Sequence, residues 1–155
     1  MPYVSKDLIE STWQSVGASS GPEILRAQKK HRNSQDALSK FVYEDFLALR
    51  EDAAGVGLFV FHVVVESFSR TQRRPKRVKW SQIKAASADQ TTCLEFNPQQ
   101  VCDSPEPYVM RYVCEALYEP EPDDVVLSEN EREHLYCILE VVVFCLHSAC
   151  RRKWQ

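Results

Sequence analysis

Glycine is nearly missing from this chain, at four residues in 155. A phosphate cradle made of glycine backbone therefore has little to be built from, and no Walker loop, GxGxxG, GxSxG or HExxH occurs. No two of the six cysteines stand at CxxC spacing, which removes zinc ribbons and thioredoxin-like redox motifs. Long uninterrupted apolar runs are missing too. Glu66 and Glu140 break the two longest, well short of the ~20 residues a bilayer needs, so no membrane partner is expected. Residues 1–6 carry one lysine with no apolar run behind it. No secretory leader is expected, and a cytoplasmic setting with reduced thiols is. Nor is there an excess of one charge. The net value of −3 means that any attraction to an anionic partner must be local.

What is there is helical in pattern. Residues 57–68, GLFVFHVVVESF, are apolar on every side apart from His62 and Glu66. A segment with no polar face must be buried, and a helix over 53–69 is expected at the centre of the core. Its valines also suit a strand, but the length favours a helix. Near the C-terminus, Ser128 and Glu131 form a capping box ahead of a stripe of Leu135, Ile138, Leu139, Val142, Val143 and Leu146. This predicts a helix over 129–151 and a second apolar rod to pack on the first.

The remaining elements follow from caps and spacing. Ser5 heads a helix over 6–16, and Pro22 with Glu23 opens a mostly polar helix over 22–32 that reads as exposed. Ser34 is placed to cap a helix running to about 51, with Leu38, Phe41, Val42 and Leu49 on its apolar stripe. Residues 80–86 form a short helix, and 87–102 lack a period. Ser104 and Pro105 suggest the start of a helix carrying Tyr108, Val109, Tyr112, Val113, Ala116 and Leu117. The expected fold is all-α: residues 1–155 as a single helical domain, a bundle of about five to six helices around two apolar central ones.

Two constellations carry chemistry. His62 and Glu66 stand four apart and share a helix face, a spacing that suits a transition metal or a general base and its orienter. Glu44, Glu115, Glu140 and His147 are further candidate ligands. No Glu-x-x-His pair occurs, however, so the carboxylate-bridged four-helix pattern is not met. The plain alternative is a buried histidine and carboxylate that satisfy one another, and no cofactor is expected. Cys150 and His147, three apart, form a weaker nucleophile pair, disfavoured because a helix C-terminus raises a thiol's pKa.

The second constellation is RTQRRPKRVK at residues 70–79, followed by Trp80. Arg70, Arg73, Arg74, Lys76, Arg77 and Lys79 attract phosphates or carboxylates, and Trp80 is placed to stack on a base. A solvated loop with no ligand is the plain alternative. The acidic stretch over 119–133 is a third, as an internal or intersubunit counterpart, and a homodimer is among the expectations. The leading expectation is a non-enzymatic interaction module whose basic loop meets nucleic acid or another protein. The competing one is a metal-dependent helical enzyme using His62 and Glu66.

Overall fold

The computed structural model describes residues 2–89, 101, 103–119, 121 and 124–150. Seven helices occur among the described residues, and no strand. They are α1 (Lys6–Gly17), α2 (Gly21–Ser34), α3 (Asp36–Phe46), α4 (Glu51–Ser69), α5 (Trp80–Asp89), α6 (Pro107–Tyr118) and α7 (Glu129–Ala149). The count exceeds the expected five to six. Gln35, at φ −136° and ψ 60°, divides α2 from α3.

The caps explain most boundaries. The hydroxyls of Ser5, Ser20 and Ser128 accept the backbone N–H of Leu8, Glu23 and Glu131. Ser20 and Ser128 complete capping boxes with Glu23 and Glu131, which satisfies donors that a helix start leaves open. Three expected boundaries are corrected. α3 is headed by Gln35 without a side-chain cap, and Ser34 instead donates its hydroxyl to His31 O. α3 ends at Phe46 rather than near 51, and α4 begins at Glu51 after a short turn. α6 begins at Pro107, not Pro105: Ser104 Oγ accepts the Glu106 N–H at 3.1 Å in a turn ahead of the helix. The irregular stretch expected over 87–102 lies largely outside the described residues, as does the end of the last helix beyond residue 150.

α4 touches α1, α2, α3, α6 and α7, and α7 touches α3, α4, α5 and α6. Val60, Phe61, Val63, Val64 and Phe68 of α4 are buried, as are Leu135, Leu139, Val142, Val143 and Leu146 of α7. α4 is the one helix among the described residues long and apolar enough to cross a membrane, and most of it is buried inside the protein. Its uniform apolarity is that of a core element.

α4 and α7 run parallel. Arg50, just ahead of α4, donates to both Glu131 carboxylate oxygens at 3.2 Å, in the first turn of α7. Gly57 and Leu135, each the seventh residue of its helix, meet side by side. Beyond α4, the Lys76 N–H donates to Ala149 O at 3.0 Å, at the far end of α7. Both helices therefore present their negative C-terminal ends to the same side of the molecule.

Candidate functional site

The basic loop crosses that negative end. The C-terminus of α2 lies there too, because Arg77 Nη2 donates to Asn33 O at 2.7 Å. Three helix ends thus face residues 70–79, and part of the loop's charge answers their dipoles. Arg70 caps α4 through its backbone N–H, and its guanidinium donates to Glu66 Oε1 at 3.1 Å. Arg77 also pairs with Asp36 at 3.6 Å. The side chains of Arg73, Arg74, Lys76 and Lys79 are exposed and make no ion pair among the described residues.

The loop is held by its backbone. Gln35, 3% exposed, donates from Nε2 to Lys76 O at 3.0 Å and accepts the Val78 N–H on Oε1 at 2.9 Å. One amide side chain thus serves both polar groups around Arg77. Val78 and Thr71 are buried, and the Thr71 hydroxyl donates to Phe68 O. Trp80, the first residue of α5, is 46% exposed and forms a T-shaped pair with Phe41, ring centroids 6.3 Å apart at 68°. Gln35→Ala is expected to lower stability by about 1–3 kcal/mol, since it orphans a buried N–H and a carbonyl. Hydrogen exchange at the Val78 amide should speed up in that variant; unchanged protection would mean that something else holds the loop.

Among the described residues, the acidic stretch makes no ion pair with this loop. Glu131 is engaged by Arg50 at the opening turn of α7, and the loop lies past that helix's other end. A 21-residue helix separates them by about 30 Å.

His62 and Glu66 do not bond to each other; His31 of α2 stands between them. His31 Nδ1 faces His62 Nδ1 at 3.0 Å, and His31 Nε2 faces Glu66 Oε2 at 2.8 Å. Tyr43 Oη lies 3.2 Å from His62 Nε2, and Arg70 closes the far end by reaching Ser15 Oγ at 3.3 Å. The result is an unbroken chain: Tyr43, His62, His31, Glu66, Arg70, Ser15. Its histidines are 6% and 2% exposed.

The carboxylate end of this chain fixes which groups donate to it. The bonds from His31 and Arg70 hold the Glu66 carboxyl down at about 2, against the effect of burial, so it only accepts. His31 therefore donates to it from Nε2. Burial, with His31 and Arg32 nearby, pushes His62 down to about 4, consistent with a neutral ring. Burial raises the Tyr43 hydroxyl's pKa, so the chain does not end in an activated phenolate.

Beside it lies a cavity of about 80 Å³, lined by Ser15, Ser19, Gln28, His31, Glu66 and Arg70 among others. That is room for a few waters and far below the ~300 Å³ of a small-molecule site. Every side-chain polar atom of His62 and Glu66 already has a partner, so a metal there would have to displace His31, Arg70 or Tyr43. No group of three His, Cys, Asp or Glu side chains converges as metal ligands among the described residues. His31 and Tyr43 were not expected at this site. The signal for His31 was present: Ile24, Ala27, Gln28, His31 and Gln35 follow helical spacing on a helix otherwise dominated by charge.

The third buried histidine, His147, is structural in its contacts. Glu106, fully buried, accepts the Tyr3 N–H at 2.6 Å and lies 3.3 Å from His147 Nδ1, so it ties the N-terminal segment to α7. Burial raises its pKa, against the hydrogen bonds from Tyr3 and His147. Burial also pushes the Cys150 thiol up to about 12, and the His147 ring is turned to Glu106, so no activated cysteine forms there. Cys114 and Cys145 are buried among apolar side chains, as small core residues.

No family model matches the chain, and neither a curated protein nor a solved structure matches it.

Proposed function

We propose that this protein is a non-enzymatic interaction module: one helical domain, bundled around α4 and α7, that presents residues 70–79 to an anionic partner. The observation that carries this reading is a division of labour within the loop. Arg70 and Arg77 are spent on the protein's own carboxylates and helix ends, while Arg73, Arg74, Lys76 and Lys79 point no ion pair inward. The backbone beneath them is fixed by Gln35 and by Ala149 O, so the cations need little ordering when a polyanion arrives. A solvated loop with no ligand has no need of buried anchors on both sides of one arginine. The metal-dependent reading finds no comparable support, because His62 and Glu66 are occupied with each other's neighbours.

Replacing Arg73, Arg74, Lys76 and Lys79 together by alanine is expected to abolish retention on immobilised heparin at physiological salt. The melting temperature should stay within a few degrees, since exposed charges contribute within about 0.5 kcal/mol each. Full retention by this variant would remove the proposal. Arg77→Ala should behave in the opposite way, with lower stability and a smaller change in retention.

A further inference from the structure

We infer that the anionic partner is single-stranded nucleic acid, with Trp80 as the stacking platform for one base. This rests on the polyanion reading above and adds to it a requirement for rings.

The arrangement around Trp80 is what favours a nucleic acid over an acidic protein. The indole is 46% exposed, yet it is not loose: Phe41 packs against it in a T-shaped pair, ring centroids 6.3 Å apart. It sits on the first residue of α5, and that helix is anchored by buried Ile83 and Ala86. The junction before it is fixed as well, since Gln82 Oε1 accepts the Lys79 N–H at 2.8 Å. A rigid, half-exposed indole between cations is a surface on which a base stacks and its phosphates are neutralised. The cations stand on both sides. Lys79 immediately precedes the ring. Lys84, exposed and one helical turn on, shares its face of α5. Lys76, Arg74 and Arg73 continue the line along the pinned loop.

A carboxylate-rich peptide would use the lysines and arginines and leave the indole idle. A duplex would do the same, because its bases are already stacked and their faces hidden. α5 holds one lysine within its length, too few to track a groove. An unpaired strand uses every part of the surface.

The test uses the full chain with Trp13 and Trp154 replaced by phenylalanine, so that Trp80 is the sole indole. A uniform thymidine oligonucleotide of about 16 nucleotides should quench its fluorescence. Trp80→Ala should weaken oligonucleotide binding roughly 5- to 150-fold, the span for losing one stacked base, while heparin binding stays unchanged. Trp80→Phe should recover part of the loss, which separates stacking from a folding defect. If Trp80→Ala leaves oligonucleotide affinity unchanged while the four-cation variant loses it, stacking is wrong and the polyanion reading stands. Binding a duplex or polyglutamate as tightly as the oligonucleotide would also overturn the inference. If neither oligonucleotide nor heparin binds, both readings fall.

Discussion

Gly57→Ala is expected to destabilise the protein by up to about 2 kcal/mol, although alanine is the better helix former. Gly57 lies where α3, α4 and α7 meet. A methyl group there would stand 2.6 Å from Leu135 Cδ2 and 2.8 Å from two ring carbons of Phe46. Leu135 and Phe46 are both fully buried, so neither has open space to retreat into. The gain from removing a helical glycine is ~1 kcal/mol, smaller than the cost of overpacking a close-packed core. Gly55, two residues earlier on the same helix, supplies the control. Nothing lies within 4 Å of a Cβ added there, so Gly55→Ala should stabilise by about 0.5–1 kcal/mol. Chemical denaturation of the two variants would report opposite signs. A neutral or stabilising Gly57→Ala would mean that α4 and α7 do not approach as closely as described.

The second large effect is a loss of stability on acidification, set by His62. Its pKa is about 4 in the folded protein against 6.5 when unperturbed. Between those values the unfolded chain binds more protons than the folded one, so stability falls as pH drops from 6.5 to 4. The full shift corresponds to ~3 kcal/mol. Glu66 acts in the same direction at lower pH. Its folded pKa is about 2 against 4.5, so the stability it contributes is present above 4.5 and lost as pH falls through 2. Glu66 is partly open to solvent, which screens its share. Glu106 acts in the opposite sense: raised by burial, its contribution is present below 4.5 and lost as pH rises through its folded value. Comparison with His62→Asn isolates the histidine. The variant should lose the part of the pH 4–6.5 slope that His62 contributes; an identical slope in both proteins would mean that His62 takes up its proton without cost.

These two results bear on what was legible in the sequence. The core helices were, because α4 has no polar face to misplace and Ser128 with Glu131 marks the start of α7 unambiguously. The C-terminal end of α3 was not. Leu47, Ala48 and Leu49 keep a helical composition through the turn that ends the helix, and Leu47 is left 68% exposed. The start of α6 was misplaced because the buried carboxylate of Glu106 serves the N-terminal segment instead of following the proline rule. His62 and Glu66 were visible as polar groups on an apolar helix, but their partner His31 was hidden in a stretch read as an exposed helix. The arginines and lysines of the loop were visible as composition. Which of them are already engaged depends on where three helices end, and no local spacing records that.

The dependence of binding on salt tests the central claim most directly. Titration of a single-stranded oligonucleotide at several salt concentrations should give a linear fall of log K against log salt, with a slope of about −0.7 per phosphate neutralised. Loss of Arg73, Arg74, Lys76 and Lys79 should make that slope shallower by up to ~3, in a protein that melts as the unaltered one does. An unchanged slope in that variant, or an affinity indifferent to salt in the unaltered protein, would contradict the assignment of residues 70–79 as the surface that meets an anionic partner.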